Sequence, residues 1–147
     1  MPDALEDPAG AELVLRFLDL LRGGDIDGAS MLLAPDVRYA NVGMLTVHGR
    51  AAAARLLRLM LAPPGAGFDV HLHAISTAGA TVLTERTDLL AYGRVRIRFW
   101  VCGRFDVRDG QIVLWRDYFD RLDFLRASLR GILGAVSGRP PRWPPEA

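Results

Sequence analysis

From Phe68 onward the hydrophobic period of this chain is two, and it stays at two through Phe119. Residues 68–76, 81–91, 95–107 and 111–119 read as four strands in succession. Tyr92-Gly93 and Arg108-Asp109-Gly110 are the turn signals between the last three, which makes those strands antiparallel neighbours. The stretch before them is mostly helical in pattern. Residues 11–21 place leucines and Phe17 on one side, and Gly23-Gly24 ends that run. Asp25 is placed to cap a short second helix through Leu33, stopped by Pro35. Residues 37–42 alternate like a strand. His48-Gly49-Arg50 is a turn into a helix over 51–61, closed by Pro63-Pro64. A final helix over 121–136 carries Leu122, Phe124, Leu125, Leu129, Ile132 and Leu133, which can cover an apolar opening. Helices followed by a meander predict an α+β fold, with the sheet curling around a cone-shaped pocket. We expect a flexible terminus over 1–10, one domain over 11–137 and a loose Pro-rich tail over 138–147.

Three short segments stand out against this apolar pattern: Tyr39-Ala40-Asn41, Arg86-Thr87-Asp88 and Trp115-Arg116-Asp117. In a strand, residues two apart share a face. Tyr39 then lies with Asn41, and Arg86 with Asp88. Pairing Ala91 with Arg94 sets Arg86 opposite Phe99 and Asp88 opposite Ile97. Pairing Val107 with Gln111 sets Asp117 opposite Val101. The shared face carries Arg86, Asp88 and Asp117 among Ile97, Phe99, Val101, Trp115 and Phe119, the expected substrate pocket. A phenol, an amide, a guanidinium and two carboxylates are expensive to bury for packing alone. A structural ion-pair network is the plain alternative. Titratable groups that would shift one another's pKa favour chemistry.

Two carboxylates bridged by an arginine suit paired acid–base work, one taking a proton while the other gives one. Lifting an aspartic acid from ~3.9 to near 7 requires about 4 kcal/mol, which burial and a like-charged neighbour can supply. The acids should titrate as a coupled unit. Tyr39, Asn41 and Asp117 together could hold one water by three hydrogen bonds.

The rest of the composition mostly excludes. The chain has 147 residues, half of them hydrophobic, and a formal net charge of +1 with the charges interspersed. That argues against nucleic acid or an anionic membrane as the main partner. Every basic residue is arginine, so Schiff-base lysine chemistry is removed. Cys102 is the lone cysteine and reads as a small buried hydrophobe. His71 and His73 share a strand face but lack a third ligand, so no metal is expected, and no cofactor motif is present. His48 reads as a turn residue. Glu85, Arg116, Tyr118 and Asp120 point away from the acids or end a strand. Residues 1–10 are unlike a signal peptide, and no apolar run reaches transmembrane length. A soluble cytoplasmic protein without a membrane anchor is expected.

Tyr39-x-Asn41, Thr84-Glu85-Arg86-Thr87-Asp88 and Trp115-Arg116-Asp117-Tyr118-Phe119-Asp120 resemble, in order and spacing, the limonene epoxide hydrolase family. The resemblance runs from the first helix to about residue 125. Phe99-Trp100-Val101-Cys102-Gly103 continues it toward mycobacterial members. It implies a cystatin-like (NTF2-like) fold with a six-stranded curved sheet and a homodimer. It makes Asp117 the base that activates water, with Tyr39 and Asn41 as co-ligands of that water. Asp88 becomes the acid protonating the epoxide oxygen, and Arg86 the bridge. The loop over 42–49 and the C-terminal helix depart from the limonene-active pattern, leaving a bulkier lipophilic epoxide open as substrate. An epoxide-opening cyclase and a non-catalytic ligand-binding module are the alternatives. The Tyr39/Asn41 pair favours water over a substrate hydroxyl, and retention of both acids with Arg86 argues against a mere binding cup.

Overall fold

Asp7 accepts the backbone N–H groups of Ala9 and Gly10 and so caps α1 (Pro8–Arg22). Pro8 sits in the first turn, where its missing N–H leaves no bond unmade. A computed structural model of the chain describes residues 7–145. Helix α1 therefore begins inside the stretch expected to be flexible, of which 1–6 lie outside the described residues. It buries Val14, Phe17, Leu18 and Leu21, the i, i+3, i+4, i+7 face. Asp25 caps α2 (Ile26–Met31) through a 2.8 Å bond from the Gly28 N–H.

The short helix does not run to Leu33. Strand β1 (Leu33–Asn41) already begins there and contains Pro35. Its pairing with β6 (Gln111–Tyr118) is irregular between Leu33 and Arg38, so Pro35 falls where no ladder N–H is needed. Strand β2 (Leu45–His48), expected as loop, pairs antiparallel with β1 after a turn at Gly43. Its residues are largely exposed, so it carries no alternation to read. Helix α3 (Arg50–Leu61) buries Ala53, Ala54 and Leu57. Strands β3 (Ala66–Ala78), β4 (Thr81–Tyr92) and β5 (Val95–Arg108) complete one six-stranded sheet of order β2-β1-β6-β5-β4-β3. The β3-to-β6 meander is antiparallel, and β1 joins β6 in parallel. Residues of α1, α3, β1 and the β5–β6 hairpin form the core, with Phe17 edge-on to both Phe105 and Trp115.

Both expected registers are off by two, and the faces survive because the strand period is two. Tyr92 pairs with Val95, which puts Arg86 opposite Val101 and Asp88 opposite Phe99. In the next hairpin Arg108 pairs with Gln111 across Asp109-Gly110, both at positive φ. A bulge between Asp106 and Val107 adds a second shift, so Asp117 faces Gly103 rather than Val101.

Helix α4 (Arg121–Ser137) packs on β5, beyond the point where β6 ends its pairing at Cys102. It turns its small residues Ala127, Gly131 and Gly134 inward. A side chain on Gly131 would collide with the Arg96 carbonyl, so the close approach requires glycine. The expected lid of leucines is thus corrected: Leu122, Leu125, Leu129, Ile132 and Leu133 are exposed, and Phe124 alone of that group reaches the cavity described below. The tail is tied down by side-chain bonds. Arg98 Nη1 donates to the Arg142 carbonyl at 3.1 Å, and Trp143 Nε1 donates to Asp69 Oδ2 at 2.6 Å. Among the described residues, no helix is long and apolar enough to cross a membrane.

Candidate active site

Arg86 is the largest fully buried side chain, at 1% exposure. A lone buried guanidinium is prohibitively unfavourable, and its own strand and β6 supply the counter-charges. Arg86 Nε donates to Asp88 Oδ1 at 2.8 Å, with Nη2 to Asp88 Oδ2 at 3.3 Å. Nη2 also meets Asp117 Oδ2 at 2.8 Å, and Nη1 donates to Thr84 Oγ1 at 3.2 Å. Asp88 and Asp117 are themselves 5% and 6% exposed. One planar fork therefore fixes two carboxylates from strands separated by β5. β5 permits this by having Gly103 opposite Thr84 and Asp117, since any side chain there would collide with Arg86 Nη1.

Asp117 has a second support. Trp115 Nε1 donates to its Oδ1 at 3.0 Å, and the indole stacks on Tyr39 with ring centroids 3.9 Å apart. The parallel β1–β6 register sets Tyr39 opposite Trp115 and Asn41 opposite Asp117. Tyr39 donates its hydroxyl to Asn41 Oδ1 at 3.4 Å. Each Asp117 oxygen has one protein donor, which leaves lone pairs for a further ligand.

Burial dominates the electrostatics. It pushes the Asp88 carboxyl up to about 6, against the pull of Arg86 and with help from the Asp117 charge. Burial and Asp117 also raise the Tyr39 phenol, keeping it a hydrogen-bond donor. For Arg86, burial works against the charge, but Asp117 and Asp88 together outweigh it and hold the guanidinium protonated.

Asp88 and Asp117 form part of the wall of a cavity of about 280 Å³. Tyr39, Asn41, Phe99, Trp115 and Phe119 also line it. Arg86 does not; it stands behind the two acids. Of the expected pocket residues, Ile97 and Val101 are not in the lining. Val101 is buried opposite Arg86, and Ile97 lies opposite Leu90, one pair beyond Phe99. Much of the remaining wall comes from Leu56, Leu57, Met60 and Leu61 of α3 and from Met44 and Leu45 around β2. Sequence reasoning missed these. The α3 leucines had the right helical period to be lining residues, whereas β2 gave no signal. Gly103 was visible as the one glycine interrupting the β5 run.

The other conspicuous residues go elsewhere. His73 Nε2 bonds Thr87 Oγ1 at 2.7 Å, and Glu85 accepts from Trp100 Nε1 at 3.1 Å. Asp120 caps α4. Cys102, expected to be buried, is half-buried, and partial desolvation raises its thiol, which lowers the thiolate fraction. Among the described residues, no group of three His, Cys, Asp or Glu side chains could hold a metal ion.

Residues 8–130 match the family model for the Limonene-1,2-epoxide hydrolase catalytic domain. Over 120 residues the chain is 47% identical to Epoxide hydrolase EphG of Mycobacterium tuberculosis, covering 82% of this chain and 79% of that protein. A solved structure of an M. tuberculosis LEH-like epoxide hydrolase is similar with a TM-score of 0.83 at 44% identity, over 89% of this chain and 97% of that one. An NTF2-like protein from Burkholderia pseudomallei, 19% identical with a TM-score of 0.71 over 82% of this chain and 97% of its own, shares the fold.

Proposed function

Since this chain belongs to the limonene-1,2-epoxide hydrolase family, we propose that it opens a lipophilic epoxide with water in a single acid–base step. It is an epoxide hydrolase of the limonene epoxide hydrolase type. The observation that carries the one-step reading is the pair of buried carboxylates, each 2.8 Å from one guanidinium, in the wall of an otherwise apolar cavity. Asp117 is the base. It takes a proton from a water also held by Tyr39 and Asn41, and that water attacks an oxirane carbon. Asp88 is the acid, delivering its proton to the oxirane oxygen as the C–O bond breaks. The product is a vicinal diol. Arg86 orients both acids without touching substrate. Ring strain already activates the epoxide, so a positioned water and two proton transfers suffice. The leucines, methionines and aromatics of the wall suit a lipophilic substrate, and no step calls for a cofactor. A cytoplasmic homodimer completes this reading.

A single turnover in ¹⁸O-water with enzyme in excess tests the step itself. Label is expected directly in the diol. Unlabelled diol with label appearing in Asp117 would establish a covalent ester and overturn the one-step reading.

The pH profile gives an independent check. Asp88 must hold a proton to give one, and its carboxyl titrates near 6. We expect kcat/KM to fall with rising pH above that value, approaching about tenfold per unit. A rate that rises through the same range would assign proton acceptance, not donation, to Asp88.

A further inference from the structure

We propose that the outer face of α4 docks reversibly on an anionic lipid membrane. Leu122, Leu125, Leu129, Ile132, Leu133 and Val136 are 50 to 85% exposed. At helical spacing they fall within one arc of about 100°, opposite the buried Ala127, Gly131 and Gly134, of which Gly131 meets β5 and Gly134 the tail at Arg139. An apolar stripe this long on an outer surface marks an interaction site.

Its surroundings decide the occupant. Arg121 and Arg126 flank the stripe on either side, and residues 120–146 hold five arginines against the three acids Asp120, Asp123 and Glu146. A cleft of about 340 Å³ opens on one flank of α4, between the stripe, with which it shares Leu133, and the buried Ala127, Gly131 and Gly134. Arg96, Arg98, Arg130 and Arg139 line that cleft. Among the described residues, Arg96 and Arg139 have no carboxylate partner, Arg98 donates to a backbone carbonyl, and Arg130 reaches Asp123 at 3.8 Å. The chain as a whole is nearly neutral, so the fold concentrates positive charge here. A second copy of α4 would bring arginine against arginine, with Asp123 as the sole compensating acid on each helix. An anionic lipid surface supplies the opposite charge and a medium for the leucines, the pattern of an interfacial amphipathic helix.

The site also has a use. Phe124 on the same helix lines the catalytic cavity and contacts Phe99 and Phe119. A helix lying at the headgroup boundary sets the cavity beside the phase into which lipophilic epoxides partition. That use rests on the proposed function, whereas the docking does not.

The test is flotation of the whole protein with phosphatidylcholine vesicles, with and without phosphatidylglycerol. Binding is expected with the anionic vesicles, at least about tenfold weaker with neutral ones, and weakened by high salt, since each arginine near such a surface is worth roughly fivefold. Leu129→Asp with Leu133→Asp, and separately Arg126→Gln with Arg130→Gln, should each lower anionic-vesicle binding at least tenfold. Both pairs should leave turnover of a small water-soluble epoxide unchanged. Vesicle binding that survives the double leucine change overturns the proposal. So does a wild type that ignores vesicles and loses a dimer in light scattering when those leucines are changed, because the occupant is then a second copy. Vesicle binding by a protein that turns over no epoxide would sustain the docking and sink the catalytic reading instead.

Discussion

Asp117→Asn is expected to lower kcat at least about 10²–10⁴-fold, the range for removing a positioned general base, in a protein that remains folded. The asparagine side-chain oxygen can still accept from Trp115 Nε1, so the ring stack on Tyr39 has no reason to move. Asp88→Asn should lose a comparable factor by removing the proton donor. The two losses should not multiply, because water attack and oxygen protonation share one transition state. Tyr39→Phe should be milder, since Asn41 and Asp117 still hold the water. Folded Asp117→Asn protein with near-normal turnover would remove Asp117 from the mechanism.

The same substitutions separate catalysis from stability. One guanidinium between two carboxylates leaves one unit of negative charge buried when both acids are ionised. Burial raises the Asp88 carboxyl from 3.8 to about 6. The sign follows from linkage: stability is fully present below the unfolded value near 3.8 and is lost as pH rises through about 6. That loss is of the order of 3 kcal/mol at neutral pH. An asparagine at 88 carries no such penalty, so the inactive variant should melt no lower than the parent at pH above 6. The cluster thus trades stability for a proton held at the point of use.

How much of this the sequence discloses depends on whether a residue type carries its own constraint. The i, i+2 spacing of Arg86 with Asp88 and of Tyr39 with Asn41 assigns a face without any knowledge of register. Register departs from the expected pairing in both hairpins. Gly93-Arg94, not Tyr92-Gly93, makes the first turn, and in the second the one-residue shift at the Asp109-Gly110 turn is compounded by the bulge at Asp106/Val107 to a total of two. The acids stayed on one face because both net shifts were even. Ile97 and Val101 left the pocket because a two-residue slip moves a side chain along its face by one pair. Helix α4 shows a different limit. Its heptad-like leucines suggested a lid, but the glycines and alanines decide which side can approach β5. An apolar pattern gives the helix a greasy face; the small residues determined that it is not the buried one.

Arg86→Met should have the largest effect on the fold. It leaves Asp88 and Asp117 buried side by side with no cation, and breaking a buried ionic network from one side typically costs about 3–5 kcal/mol. Domains of this kind have roughly 5–15 kcal/mol in total, so a neutral-pH sample should melt far lower or not fold. Methionine fills similar length and Gly103 leaves room beside it, which keeps steric strain out of the comparison. The pH dependence identifies the cause. Without Arg86, burial and the neighbouring Asp117 charge raise the Asp88 carboxyl unopposed. Its stabilising, protonated form is complete below about 3.9 and is lost as pH rises. The gap in melting temperature between the variant and the parent should therefore be large near neutrality and close toward pH about 4. Adding Asp88→Asn and Asp117→Asn to Arg86→Met should restore most of the neutral-pH stability while leaving the protein inactive. A gap that stays constant across that range would mean Arg86 matters for its packing, and the charge-neutralising bridge between acid and base would be wrong.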